Sequence, residues 1–128
     1  MHIEHLGLNV PNPVAAAAWY TAHLGFSVKR KLDQTPWTHF LADASGKVMI
    51  EIYKNPQADV PNYREMNPLV LHLAFTVDDV AAMRTRLLSA GASAVDEITL
   101  TPAGDQLAML RDPWGMPIQL VRRSHPMV

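Results

Sequence analysis

The sequence predicts an α+β fold made of two pseudo-symmetric βαβββ modules, and three pairs of segments carry that prediction. HLGLNV at 5–10 returns as HLAFTV at 72–77, a shift of 67. VAAAAWYTAHLG at 14–25 returns as VAAMRTRLLSAG at 80–91, a shift of 66, with Val first and Gly last in both. MIEIYK at 49–54 faces PIQLVR at 117–122, a shift of 68. Blocks that keep one order and drift by a single residue are what a duplicated unit with small loop insertions leaves behind.

The elements follow in order. Ile3–Val10 alternates as a strand, with Leu6, Leu8 and Val10 on one face and His5, Gly7 and Asn9 on the other. Asn12 suits the cap of the first helix, Pro13 its first turn and Gly25 the left-handed residue beyond its end. Val14, Ala17, Ala18 and Thr21 form the small-residue face expected to pack on the sheet. Three strands are then expected near 26–32, 37–43 and 47–54. NPQADVPNYREMNP (55–68), with prolines at 56, 61 and 68, reads as connecting loop. In the second module a strand covers 71–77, and a helix begins at Asp78 or Asp79 and buries Val80, Met83, Leu87 and Ala90. Its strands fall near 93–98, 106–111 and 116–122. The division expected is a first module over about 1–55, a linker over 56–68 and a second module over about 69–123, together one domain.

Composition sets the outer bounds. With 128 residues, 48% hydrophobic and 18% charged, the chain suits a compact domain that buries a core without staples. It has no cysteine, which excludes disulfides and thiolate metal sites and leaves nitrogen and oxygen as the donors for any metal. A net charge of −1, with no basic run beyond Arg122-Arg123, gives nucleic acid nothing to bind. No apolar stretch approaches the roughly 20 residues that span a bilayer. The N-terminal residues also lack a signal peptide's charged-then-apolar layout, so a soluble cytoplasmic protein is expected.

Strand alternation also directs the chemistry. Leu71, Leu73, Phe75 and Val77 share a face, leaving His72 with Ala74 and Thr76 on the other. Glu51 stands opposite Ile50 and Ile52, and Gln119 opposite Ile118 and Leu120. Each half therefore offers one His and one Glu or Gln away from its main apolar face. If the halves obey pseudo-symmetry, His5, Glu51, His72 and Gln119 converge. Imidazole nitrogens with a carboxylate suit a borderline divalent cation: Zn, Ni, Co, Mn or Fe.

At these residues the chain resembles the vicinal oxygen chelate superfamily, the group of glyoxalase I, extradiol dioxygenases, methylmalonyl-CoA epimerase and bleomycin- and fosfomycin-resistance proteins. IEHLGLNVPN (3–12), WYTAHLGF (19–26), VMIEIYKN (48–55), LHLAFTVDD (71–79) and DPWGMPIQL (112–120) carry the likeness. It implies paired βαβββ modules whose sheets curl into a cup around a metal. It also implies that ligands come from the first and last strand of each module, here His5, Glu51, His72 and Gln119. The pattern is most similar to bacterial glyoxalase I, which acts on the hemithioacetal of methylglyoxal and glutathione with glutamates shuttling the proton. Gln119 departs from the family's usual Glu. An amide is no general base, so Glu51 is left as the catalytic carboxylate. The change also argues against an extradiol dioxygenase, whose carboxylate ligand comes from the Gln119 position.

The resemblance thus implies a metal-dependent lyase or isomerase for a small vicinally oxygenated substrate, similar to lactoylglutathione lyase. Its alternative is a bleomycin-resistance type of protein that sequesters a ligand without catalysis. It further implies a homodimer, with the ligand set completed either within one chain or between two. Lesser candidates are His39 and Tyr53 as substrate contacts, and Tyr63 and Arg64 as a cover over the cup. Trp19 and Tyr20 read as core or interface, and Trp114 as part of a turn. His2, His23 and His125 show no pattern and read as solvated.

Overall fold

A computed structural model describes residues 1–127. The chain forms two compact units, Met1–Pro61 and Asn62–Val128. The first contains β1 (Leu6–Asn9), α1 (Pro13–His23), β2 (Ser27–Lys31), β3 (His39–Ala42) and β4 (Met49–Tyr53). The second contains β5 (Leu73–Thr76), α2 (Val80–Ser89), β6 (Ser93–Ala94), β7 (Thr99–Leu100), β8 (Gln106–Arg111) and β9 (Pro117–Arg122). The two sheets run β1-β4-β3-β2 and β5-β9-β8-β6, with β7 also paired to β8.

The expected repeat appears as shared hydrogen-bond register. β1 runs parallel to β4, with Leu6 opposite Ile50, Gly7 opposite Glu51 and Leu8 opposite Ile52. β5 runs parallel to β9, with Leu73 opposite Ile118, Ala74 opposite Gln119 and Phe75 opposite Leu120. Shifting the first set by 67 and 68 residues reproduces the second.

Local chemistry sets the helix ends. Asn12 accepts from the Ala15 amide and Asp79 from the Ala82 amide, each satisfying a first-turn donor. Gly25 follows α1 at φ +73°, a conformation that glycine adopts without Cβ strain. In α2, Val80 and Leu87 are fully buried, as the sequence predicts, and the helix packs on β8 and β9. Side chains of that size each contribute about 1.5–3 kcal/mol on burial.

The buried face of α1 is not the expected one. Pro13, Ala16, Ala17 and Tyr20 are buried, whereas Val14, Ala18 and Thr21 are exposed. Trp19 and Tyr20 are the two large rings of the helix, both buried, and the Tyr20 ring seats on Phe26 at a centroid distance of 5.7 Å. Burying those rings outweighs burying the small-residue stripe. Of the strand expected at 93–98 only β6 (Ser93–Ala94) forms, and β7 begins beyond it at Thr99. Asp96 intervenes, with its carboxylate accepting from the Met109 amide at 2.7 Å while Val95 and Asp96 both donate to the Met109 carbonyl. Two residues thus face one, and the ladder breaks locally.

The segment after β4 forms no helix or strand. Asn9 ties down its start, donating to the Ala58 carbonyl at 2.8 Å and accepting from the Asn55 amide at 2.8 Å. Arg111 holds its end, donating to the carbonyls of Tyr63 at 2.6 Å and Met66 at 2.8 Å. Among the described residues no helix is long and apolar enough to cross a membrane.

Candidate functional site

In the first unit the parallel register aligns Gly7 with Glu51. His5 lies just before β1, and its ring nevertheless reaches Glu51. His5 Nε2 lies 3.2 Å from Glu51 Oε2, and Nδ1 donates to the Glu4 carboxylate. The His5 pKa is raised above its ordinary 6.5. The Glu4 hydrogen bond is the largest cause, partial burial opposes it, and the charges of Glu4 and Glu51 add to the rise. Nδ1 already carries a proton toward Glu4. A lone pair on Nε2 facing Glu51 at this distance is repelled unless a cation lies there, either a proton or a metal ion.

Neighbouring residues shape this pair. A Cβ at Gly7 would stand 3.3 Å from the Tyr53 hydroxyl, slightly tight, and 3.4 Å from Glu51 Oε2, in van der Waals contact. The missing side chain thus leaves both groups room over β1. Phe40, the cross-strand partner of Glu51, meets the His5 ring edge-on at 5.6 Å. Glu51's side chain is only 20% exposed, so a charge on it is partly desolvated.

In the second unit Gln119 lies opposite Ala74, and His72 stands two residues before Ala74. His5 and His72 thus hold the same position relative to Glu51 and Gln119. His72 Nδ1 donates to the Pro68 carbonyl at 2.8 Å, since a carbonyl can only accept. This fixes the tautomer that leaves a lone pair on Nε2, the arrangement typical of metal-binding imidazoles. Gln119's surroundings are apolar. Its cross-strand partner Met109 is buried, as are Pro117 and Val121 to either side of it on β9.

Each unit offers an imidazole with one nitrogen engaged elsewhere and one oxygen donor, a carboxylate in the first and an amide in the second, which are donor types that suit a divalent ion. Among the described residues no group of three or more His, Cys, Asp or Glu is arranged to hold a metal ion.

The lesser candidates divide. Tyr53 shares Glu51's strand and face and is half-buried. His39 does not join that face. It pairs with Ile52 and Lys31, on the side where α1 packs, and is buried with Nδ1 donating to the Trp37 carbonyl at 2.8 Å. Alternation alone placed His39 with Leu41, and β3 turns that whole set toward the helix. Tyr63 is buried, and Arg64 donates to the Pro113 carbonyl. Trp19 and Tyr20 are core residues. Trp114 lies in the β8–β9 turn, where Asp112 accepts from the amides of Trp114 and Met116 at 2.9 Å each. His2 is exposed, His125 lies beside Ser124 and His23 packs on the Trp19 ring at 5.3 Å. Sequence reasoning missed Glu4 and Phe40. Alternation puts Glu4 on the opposite face from His5, but β1 begins only at Leu6, so the pleat does not govern residues 4 and 5.

The model of the Glyoxalase/Bleomycin resistance protein/Dioxygenase superfamily matches residues 2–120. The chain belongs to this superfamily. Solved structures share the superfamily fold. TnmS3, an antibiotic binding protein from Streptomyces sp. CB03234, is 23% identical with 97% of each chain covered and a TM-score of 0.73. A glyoxalase family protein from Bacillus cereus is 18% identical, with 96% of this chain and 94% of that one covered and a TM-score of 0.79. SMU.1112c is 28% identical, with 95% and 98% covered and a TM-score of 0.72. No curated protein sequence matches the chain significantly. Within this superfamily member, His5 and Glu51 belong to one unit and His72 and the neutral amide Gln119 to the other.

Proposed function

We propose that this superfamily member is a metal-dependent lyase or isomerase, glyoxalase I-like, acting on a small substrate with neighbouring oxygens. His5, Glu51, His72 and Gln119 are its metal donors. The observation that carries this reading is the His5 Nε2 to Glu51 Oε2 approach of 3.2 Å, on an imidazole whose other nitrogen is already committed to Glu4. A proton on Nε2 satisfies that approach in the metal-free protein, and a divalent ion satisfies it equally.

A bound ion would supply Lewis-acid charge for negative charge developing on substrate oxygen. The remaining work belongs to the chain. Glu51 is the single carboxylate of the donor set, so it takes a proton from the substrate carbon and returns it. Glu4 holds the His5 ring in place through Nδ1, and the Pro68 carbonyl does so for His72. The Tyr53 hydroxyl, held beside Glu51 by the gap at Gly7, donates to a substrate oxygen. Two copies of the chain pair as a homodimer in this reading.

The test is metal content of protein purified without a polyhistidine tag, alongside turnover of the methylglyoxal–glutathione hemithioacetal. Stoichiometric Ni, Co, Zn, Mn or Fe is expected, and His72→Ala should lose it.

A second reading has its own support. The face around Gln119 is apolar, built from Met109, Pro117 and Val121, which suits holding an apolar ligand without chemistry. TnmS3, described as an antibiotic binding protein, has the same fold. Metal-free protein that retains a drug-like ligand tightly would favour this sequestering role and sink the enzyme reading.

A further inference from the structure

His72 stands before the ladder that joins β5 to β9, whose first pair is Leu73 and Ile118. Sheet register therefore does not orient its imidazole. That falls to the Pro68 carbonyl, which accepts from Nδ1 at 2.8 Å and leaves Nε2 with the lone pair. Pro68 lies in a segment without helix or strand, so its carbonyl is a firm acceptor only if that segment is itself held.

Arg111 holds it. At the end of β8, paired with Pro117 of β9, it donates through Nη1 to the Tyr63 carbonyl at 2.6 Å and through Nη2 to the Met66 carbonyl at 2.8 Å. Nη1 also donates to the Gly115 carbonyl at 3.1 Å, in the turn after β8. The segment presses on that same turn. A Cβ at Gly115 would fall 2.8 Å from the Arg64 amide nitrogen, a backbone atom that cannot swing aside. Short turns carry the fastening onward to Pro68. The Met66 amide donates to the Asn62 carbonyl at 3.1 Å. Asn67 accepts from the Leu69 amide through its side chain and from the Val70 amide through its carbonyl, each at 2.9 Å. A planar guanidinium reaches three carbonyls at once, which a lysine ammonium on one flexible stem does not.

We propose that Arg111 is a positioning residue for His72. By fastening residues 62–68 against the β8–β9 turn, it keeps the Pro68 carbonyl on Nδ1 and so decides which ring nitrogen is open to a cation. The consequence for metal binding rests on the proposed metal-dependent activity; the consequence for the tautomer does not.

The experiment records ring nitrogen resonances of isotope-labelled, metal-free, full-length protein at alkaline pH, with His72→Ala assigning the His72 signals. Wild type should show the Nδ1–H form alone. Arg111→Met should give a mixture of both tautomers and lower zinc affinity in calorimetric titration about tenfold, as lost supporting contacts do. Arg111→Lys, the gentler change, should move the tautomer in the same direction by less. Arg123→Met, which breaks the pair with Asp105 in the same unit, should leave it unmoved. The His5 ring, whose Nδ1 meets Glu4, should respond to none of these changes. The proposal is overturned if His72 keeps its Nδ1–H form in folded Arg111→Met protein or, where that protein does not fold, in Arg111→Lys. It is equally overturned if Arg123→Met mixes the tautomers to the same extent, or if they mix in protein whose zinc affinity is unchanged. Wild-type protein that takes up no zinc sinks the metal reading alone, and the tautomer comparison still decides the role of Arg111.

Discussion

The two units carry one backbone pattern and two kinds of chemistry. In both, the first strand lies parallel to the last, with a histidine two residues before the partner of the key polar residue. The first unit surrounds that position with groups that carry or steer charge: Glu4 on His5, Tyr53 beside Glu51, Phe40 against the imidazole. The second unit surrounds it with Met109, Pro117 and Val121, all buried. A carboxylate at 119 would face these apolar groups, and desolvation would penalise its charged form. The amide pays far less. Duplication keeps the ladder because every backbone donor depends on it, while the side chains on its open face change freely.

The contrast is easiest to break at the charged pair. Under the metal reading, His5→Ala or Glu51→Ala should lower metal affinity by more than about a hundredfold, because each removes a direct donor where even supporting contacts matter 10–100-fold. Gln119→Ala should cost less, since it removes a neutral donor. Calorimetric titration with Zn or Ni ranks the three, and a larger loss at 119 than at 51 reverses the asymmetry.

Next comes the packing of the helices. Leu87 anchors α2 at 0% exposure, whereas α1 relies on small Ala16 and Ala17 together with the rings of Trp19 and Tyr20. Leu87→Ala should cost about 3 kcal/mol in denaturant unfolding, and Ala17→Gly only about 1. Similar costs for the two would mean that the small residues of α1 hold it as firmly as its Trp19 and Tyr20 rings do.

A smaller effect sharpens the register comparison. Gly7 and Ala74 hold equivalent positions, and at Gly7 an added Cβ would press on the Tyr53 hydroxyl and touch Glu51 Oε2. Gly7→Ala should push Tyr53 and Glu51 apart by a few tenths of an ångström and reduce metal affinity about tenfold, by analogy with displaced supporting contacts. The mirror change Ala74→Gly should leave affinity unaltered. Equal effects would remove Gly7's special role.

Smallest are the pH effects, and their signs differ between the units. His5 has a raised pKa, so in metal-free protein its stabilising contribution is complete below 6.5 and fades as pH rises through the folded-state value. In the second unit Asp105 has a lowered pKa, chiefly because the Ser124 amide donates to it, with Arg123 adding to the effect. Its contribution is present above 3.8 and is lost as pH falls through its lower folded value. Unfolding curves for His5→Ala and Asp105→Asn across pH should therefore converge on wild type at opposite ends of the range. For His5→Ala the gap should close on the alkaline side.

Much of the fold was legible because its signals are local. Asn12, Pro13 and Gly25 mark one helix with their own backbone chemistry, and the alternation in MIEIYK and PIQLVR marks two central strands. The faces of Glu51 and Gln119 were legible for the same reason, since a pleat has period two. The α1 face was not. A helix of nearly uniform alanine carries little directional information, and the ring that decided the matter needed Phe26 beyond the helix end.

By itself, the sequence determined the duplication, the order of elements and the two histidines with Glu51 and Gln119 on faces set by backbone periodicity. The tertiary structure decided what those side chains touch. It brought Glu4 to one nitrogen of His5 and Glu51 to the other, gave Asn9's amide to the Asn55–Ala58 segment, and turned His39 toward the helix. Periodicity is a property of neighbouring residues and survives in the bare sequence. Contact between residues tens of positions apart depends on strand register and side-chain volume, and these exist only once the sheet has closed up.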